Sequence, residues 1–272
     1  MKDALVTSFL FTQSDMKTIF FPVMLFAAAS SSYSAGLFSI ARTSIWVYLH
    51  LLQFCISNQL IGEAEDLLNK PWRPIVAGRI SRSRAVFLRW ALAVTCLFLS
   101  YLFSVVRPGV MLTIGIWMNN ELGFDAHWLT RNIATALGYY SFESGACTII
   151  SDTHEVLGDL ITEALLRGAL IVLTTIHAQD FQDVPGDRIQ GRKTLPIVAP
   201  AASRISMILL LLMWSMWLGA ISTALSRVFL VSAAIVVGGR FMLFRTVSAD
   251  RLSYILYNVW LSSAQIQLFR RA

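Results

Sequence analysis

The chain has 272 residues, of which 56% are hydrophobic and only 14% are charged, a composition too apolar for an ordinary soluble domain. Its formal net charge of +6 does not indicate nucleic-acid binding, because basic residues beside membrane spans usually reflect topology and lipid headgroups. The three cysteines, Cys55, Cys96 and Cys147, have neither C-x-x-C nor Cys/His spacing, which argues against a zinc site and against a disulfide scaffold.

The apolar stretches predict an all-α membrane protein with nine transmembrane helices. Each stretch is near the ~20 residues that a helix needs to cross ~30 Å of hydrocarbon. In chain order the stretches are residues 18–36, 43–62, 84–105, 109–121, 127–148, 160–180, 197–221, 226–244 and 251–269. A transmembrane barrel is not expected, since residues 205–221 are continuously apolar. No long linker interrupts the chain, so we predict a single domain over residues 1–272.

Basic residues between the predicted helices indicate which side of the membrane each link faces. The links after the second and sixth helices hold most of these cations, namely Lys70, Arg73, Arg79, Arg82 and Arg84 in the first and Arg188, Arg192 and Lys193 in the second. The positive-inside tendency therefore places the even-numbered links and the N-terminus on the cytosolic side. Arg270 and Arg271 would then lie on the opposite side, in mild conflict with this orientation.

Two polar segments interrupt the apolar sequence at corresponding places. Residues 58–74 (NQLIGEAEDLLNKPWRP) follow the second predicted helix, and residues 177–196 (HAQDFQDVPGDRIQGRKTLP) follow the sixth. Each has acids on a helix followed by a cationic loop, which suggests two pseudo-repeats, with motifs at 58–74 and 179–196, that share a site. The alternative is that these are ordinary solvated loops at membrane ends.

Helical spacing predicts that the polar side chains of each segment point into one cavity. The residues concerned are Asn58, Glu65 and Asp66 in the first segment and Asp180, Asp183 and Asp187 in the second. Clustered carboxylates in a low-dielectric interior repel one another unless a cation neutralises them. Mg²⁺ is the natural candidate, because it prefers oxygen ligands and is typically held by one or two carboxylates plus substrate phosphate oxygens.

The cations next to these acids indicate which ligand would bind together with the metal. Lys70, Arg73, Arg188, Arg192 and Lys193 lie beside the acids in sequence. Arginine offers forked donors and lysine a compact point charge, and both suit the negative charge of a diphosphate. Together, the acids, the metal and the cations describe a magnesium-diphosphate site.

The paired segments NQLIGEAEDLLNKPWRP and DFQDVPGDRIQGRKTLP resemble the two signature motifs of the UbiA superfamily of intramembrane prenyltransferases. The NKPWRP ending is similar to that of the fungal membrane-bound terpene cyclases within this superfamily. The resemblance covers essentially the whole chain and implies nine helices around a central cavity. It also implies an integral membrane protein, with the endoplasmic reticulum as the expected membrane and the active-site face toward the cytosol.

The resemblance further implies roles for individual residues. Asn58, Asp66, Asp183 and Asp187 would be the catalytic, metal-binding set, with Glu65 and Asp180 as supporting acids. Diphosphate contacts would come from Lys70, Arg73, Arg131, Arg188, Arg192 and Lys193, where Arg131 begins the fifth predicted helix. One departure concerns the middle acid of the first motif, which is Gly62 here and leaves the number of metals open.

The reaction expected from this site is ionisation of an isoprenyl diphosphate, with farnesyl diphosphate ahead of geranylgeranyl diphosphate. If only the substrate's own double bonds are near the cation, the chain cyclises, and the resemblance favours this outcome. If an aromatic or quinone-precursor acceptor is present, the same site is a prenyltransferase. A transporter is a third reading, because nine helices with a repeat also suit carriers. No obligatory protein partner is inferred.

Overall fold

The structure is a computed structural model that describes residues 2–31, 35–151 and 157–269. Residues 32–34 of the first predicted stretch, and Arg270 and Arg271 of the topology argument, lie outside the described residues. The described part of the chain is all-helical, with no β-strand. The α-helices, in chain order, are α1 Lys2–Thr12, α2 Phe21–Ser30, α3 Leu37–Ile61, α4 Glu63–Asn69, α5 Arg82–Leu102, α6 Val106–Glu121, α7 Trp128–Ser151, α8 Asp159–Thr175, α9 Asp180–Ile189, α10 Leu195–Val198, α11 Pro200–Ala220, α12 Ala224–Leu243 and α13 Val247–Gln267.

Three short helical turns join some of these elements. A π-helical turn, Met16–Phe20, leads into α2, and 3₁₀ turns at Phe124–Ala126 and Ile176–Gln179 lead toward α7 and into α9. The second 3₁₀ turn makes α8 and α9 one continuous helical run over Asp159–Ile189. The second charged segment is therefore attached directly to a long apolar helix.

Four helical runs are long and apolar enough to cross a membrane by length and composition, within the described residues. They are Arg82–Leu102, Asp159–Ile189, Pro200–Ala220 and Ala224–Leu243. The prediction of nine transmembrane helices is thus not confirmed. The apolar helix Met16–Ser30 is too short, and so is α6, while α3, α7 and α13 are long enough but fall short in apolar character. The polar side chains that lower their hydropathy face the interior of the bundle in several places.

The core is held by large aromatic side chains whose polar atoms have partners. Trp46 and Trp260 are fully buried, and their indole N–H groups donate to Ser100 Oγ and Ser215 Oγ at 2.9 Å each. These bonds link α3 to α5 and α13 to α11. The pairing satisfies the indole donor that burial would otherwise leave without a partner.

The outer face of α5, in contrast to the core, exposes its apolar side chains. Phe87, Val94 and Tyr101 are spaced by seven residues along the helix and are all at least 70% exposed. An apolar face this extensive suits contact with lipid rather than water. This face of α5 is therefore suited to contact with lipid.

Candidate active site

The first charged segment is not one continuous helix. α3 ends at Ile61 and α4 begins at Glu63, with Gly62 (φ −89°, ψ 23°) as the junction. Helical spacing predicted that Asn58 and Asp66 would point into one cavity, although the helix is interrupted between them. The two side chains nevertheless meet at Arg73, whose Nη1 donates to Asp66 Oδ1 at 2.8 Å and to Asn58 Oδ1 at 3.5 Å.

The second segment packs its α9 directly against α4. Asp180, Asp183 and Asp187 are all buried on α9. At Gly186, an added Cβ would lie 2.3 Å from Asn69 Nδ2 and 2.5 Å from Glu65 Cγ. Gly186 therefore lets the two helices approach closely.

Two ion pairs join the charged segments across this contact. Lys70 Nζ lies 3.4 Å from Asp183 Oδ1, and Arg192 Nη1 contacts Glu65 Oε2. The loop that carries Arg192 turns back because Gly191 adopts the left-handed φ of +69°, a conformation with little cost for glycine. The Arg192 backbone N–H then donates to the Asp187 carbonyl at 2.9 Å.

Arg192 and Arg131 are each paired with buried acids of the site. Arg192 Nη1 lies 3.0 Å from Asp187 Oδ1, and its Nη2 lies 2.5 Å from Asp125 Oδ2. Arg131, at the start of α7, donates through Nε to Asp180 Oδ1 at 2.9 Å. The acids outnumber the cations here, so both guanidinium groups are charge-compensated despite burial.

Burial and charge act against each other on the two acids of α4. Burial raises the pKa of Asp66 to about 6, although Arg73 and Lys70 oppose the rise. Burial also acts to raise the pKa of Glu65, but Arg192, Lys70 and Arg131 outweigh it and the pKa falls below its ordinary value. Glu65 is therefore the more firmly ionised of the pair.

Three carboxylates of the site have a buried oxygen of the kind that a hard divalent cation prefers. Within residues 2–31, 35–151 and 157–269, no group of three or more His, Cys, Asp or Glu side chains is arranged to hold a metal unaided. Asp66, Asp180 and Asp187, however, each keep a buried Oδ2 atom without a hydrogen-bond partner. Such oxygens suit Mg²⁺, which takes one or two carboxylates and completes its shell with water and phosphate oxygens.

These groups surround one end of a cavity of about 620 Å³. Its charged end is lined by the predicted site residues Asn58, Glu65, Lys70, Arg73, Arg131, Asp183 and Arg192. Asp66, Asp180 and Asp187 are not part of the lining and lie behind it, in contact with the lining arginines. Arg188 and Lys193 are exposed and outside the lining, so the structure does not bring these two predicted diphosphate ligands to the cavity.

The remainder of the cavity is mainly apolar and aromatic. Its wall includes Phe54 of α3, Leu112, Ile114 and Ile116 of α6, Tyr139 and Phe142 of α7, Ile176, and Tyr254 and Ile255 of α13. Side chains of this kind offer no strong nucleophile and little hydration. A ligand with a charged head and a hydrocarbon tail would match both ends of the cavity.

Four charged residues of the site were not predicted. Asp15 and Lys17 reach the cavity from the N-terminal segment, and Arg251 reaches it from α13. Asp125 contacts Arg192 from the link between α6 and α7. All four lie outside the two charged segments, and sequence spacing cannot show contacts between elements so far apart in the chain.

Comparison with known proteins agrees with this geometry. The UbiA prenyltransferase family matches residues 19–260. The chain is 31% identical to fumagillin beta-trans-bergamotene synthase of Aspergillus fumigatus, over 96% of this chain and 91% of that protein. It is 30% identical to polyprenyl transferase eriF of Hericium erinaceus, over 56% of this chain and 52% of that protein.

The fold of the chain also matches that of a solved UbiA homolog. The chain matches the solved structure of a UbiA homolog from Archaeoglobus fulgidus bound to GPP and Mg²⁺ with a TM-score of 0.69 and 13% identity. The match covers 96% of this chain and 99% of that chain. Because the family match also spans most of the sequence, this chain belongs to the UbiA prenyltransferase family of membrane enzymes.

Proposed function

We propose that this protein is a magnesium-dependent, membrane-bound terpene cyclase of secondary metabolism. Its favoured substrate is farnesyl diphosphate, with geranylgeranyl diphosphate next. The observation that carries the proposal is the two-ended cavity, in which acids and cations gather at one end and apolar and aromatic side chains line the rest. The similarity to a fungal terpene synthase supports cyclisation as the outcome.

The charged end binds and orients the diphosphate. Lys70, Arg73, Arg131 and Arg192 line the cavity and would donate to phosphate oxygens. Asn58, Glu65, Asp66, Asp180, Asp183 and Asp187 would hold Mg²⁺. Bound Mg²⁺ supplies Lewis-acid stabilisation of the leaving diphosphate. As the C1–O bond breaks, the cations offset the charge that develops on the leaving group, which lowers the barrier to ionisation.

The apolar end controls what the allylic cation can reach. Its walls exclude water, and the faces of Phe54, Tyr139, Phe142 and Tyr254 offer negative π charge to a positive centre. In a folded prenyl chain, the substrate's own double bonds would then be the nearest electron donors to the allylic cation. Ring closure followed by loss of a proton would yield a cyclic hydrocarbon.

The second candidate function is transfer of the prenyl group to an aromatic or quinone-precursor acceptor. The similarity to polyprenyl transferase eriF favours it, since that protein is named for transfer. The same charged end would serve both reactions, and the difference lies in whether an acceptor shares the apolar end. Membership of an enzyme family leaves the transporter reading without support.

We place the active-site face toward the cytosol, in the endoplasmic reticulum membrane. Both charged segments meet at one end of the bundle, where the basic links were predicted to face the cytosol. A water-soluble diphosphate headgroup can reach the site from that side while the prenyl tail enters the apolar end. In this proposal the reaction requires no protein partner.

The test uses purified full-length protein in detergent. Given Mg²⁺ and farnesyl diphosphate alone, it should release a cyclic hydrocarbon detectable by gas chromatography and mass spectrometry. Chelation of the metal should stop this release. Consumption of substrate only after an aromatic acceptor is added would select the prenyltransferase instead, and no consumption in either case would refute both.

A further inference from the structure

Asp125 contacts the site from outside both charged segments. It lies in the link between α6 and α7, and its Oδ2 accepts from Arg192 Nη2 at 2.5 Å. The other end of the guanidinium has different partners, because Nη1 donates to Asp187 at 3.0 Å and contacts Glu65. The two ends of the Arg192 fork are thus held by separate groups.

The link that carries Asp125 is fastened to the loop that carries Arg192. The backbone N–H of Lys193 donates to the Ala126 carbonyl at 2.7 Å, and that of Trp128 donates to the Lys193 carbonyl at 3.0 Å. These bonds place Asp125 and Arg192 next to a paired stretch of backbone. Their contact therefore has a fixed geometry and does not depend on two free side chains finding each other.

Asp125 lies behind Arg192, away from the cavity. Arg192 lines the cavity, whereas Asp125 is 6% exposed and does not line it. The backbone carbonyl of Asp125 also accepts from Arg131 Nη1 at 3.5 Å. A ligand in the cavity would meet the arginines and not the Asp125 carboxylate, so this residue can act on the ligand only through them.

We propose that Asp125 is a positioning residue for the diphosphate. It holds Nη2 of Arg192 while Nη1 exchanges Glu65 and Asp187 for phosphate oxygens. A guanidinium anchored at one end presents its remaining donors in a fixed direction, so less freedom is lost when the ligand binds. This inference rests on the proposed function, because it assumes that a diphosphate occupies the charged end.

The test measures binding of inorganic pyrophosphate with Mg²⁺ to the full-length protein by calorimetry in detergent. Asp125→Asn removes the anchoring charge and should raise the dissociation constant about tenfold or more, as expected for loss of a charge-assisted contact. Asp125→Glu keeps the carboxylate and should lose less affinity. Asp159→Asn makes the same chemical change at an exposed acid of α8 and should bind like the wild type.

A double-mutant cycle shows whether Asp125 acts through Arg192. In an Arg192→Gln background, Asp125→Asn should change the dissociation constant by less than about twofold, because the anchored group is gone. Unchanged affinity in Asp125→Asn, or an equal loss in both backgrounds, would overturn the positioning role alone. If Asp125→Asn does not fold, binding is measured with Asp125→Glu instead. The positioning role would then be refuted if Asp125→Glu bound pyrophosphate no better than Arg192→Gln does. Absence of pyrophosphate binding by the wild type would overturn the proposed function together with this inference.

Discussion

Individual cations of the charged end have carboxylate partners within the protein. The pairs are Lys70 with Asp183, Arg73 with Asp66, Arg131 with Asp180, and Arg192 with Glu65, Asp125 and Asp187. Buried ion pairs contribute little net stability, because the cost of desolvation offsets the Coulomb attraction. In this site the ion pairs hold the side chains in place. Removing one member of a pair leaves the charge of the other without a partner.

The first prediction concerns Asp183. Asp183→Ala should lower product formation by about 100-fold or more, because it removes a proposed metal ligand and leaves Lys70 without its partner. The protein should stay folded, since the side chain faces the cavity and not the apolar core. Product yield and the melting temperature in detergent measure the two effects. Near-normal yield would contradict the metal role.

The second prediction compares two arginines four residues apart. Arg192→Gln should reduce kcat/KM by about 30-fold or more, because Arg192 lines the cavity and bridges both segments. Arg188→Gln is the matched control and should stay within about threefold of the wild type, since Arg188 is exposed and outside the lining. Steady-state kinetics on the same preparation measures both. Equal losses would mean that the loop closes over the diphosphate and brings Arg188 in.

At the scale of elements, the contact between α4 and α9 assembles the site. Each helix carries acids from one charged segment, and the close approach at Gly186 brings Glu65 and Asn69 against the second segment. Asn69 also donates to the Asp183 carbonyl at 3.4 Å. The position of two short helices, rather than the long spans, therefore sets the distances in the charged end.

The third prediction tests that contact. Gly186→Ala should destabilise the protein by ~1–3 kcal/mol, because the new methyl group forces the two helices apart. Product formation should fall with it, since the acids of both segments move. Gly239→Ala in α12 is the control, where an added Cβ meets nothing within 4 Å. Thermal unfolding in detergent measures both, and equal stability of the two variants would show that α4 and α9 can separate without cost.

Some of this arrangement could be predicted from the sequence and some could not. Apolar runs predict where α5, α11 and α12 lie, because a helix in lipid must stay apolar over its whole length. Spacing could not reveal the turn at Gly62, since i, i+4 counting assumes that the helix continues. It also could not separate Arg192, which follows the left-handed turn at Gly191, from Arg188, which lies in α9.

The charged site residues outside the two segments were not predicted for a different reason. Asp15 lies 3.7 Å from Arg73, 58 positions later, and Asp125 contacts Arg192, 67 positions later. Such contacts exist only after the helices have packed, and neither acid stands in a repeated pattern. Residues of this kind are visible only in the three-dimensional structure.

At the scale of the whole molecule, the fourth prediction concerns orientation. Arg188→Cys, in the second charged segment, and Arg79→Cys, in the link that follows the first one, should react with a membrane-impermeant maleimide from the cytosolic side. Leu225→Cys, in the exposed first turn of α12, should react only from the opposite side. The native cysteines are buried and give little background. Labelling of Arg79→Cys and Arg188→Cys from opposite sides would contradict a shared face.

The paired acids and cations of the charged end act as counterions to one another within the protein. The most costly charges of the site are therefore neutralised by other side chains. When a headgroup arrives, no new bare charge enters the interior, and one set of partners replaces another. The affinity for the headgroup then depends on the difference in free energy between these two sets of ionic contacts. Small changes in the protein can therefore raise or lower that affinity.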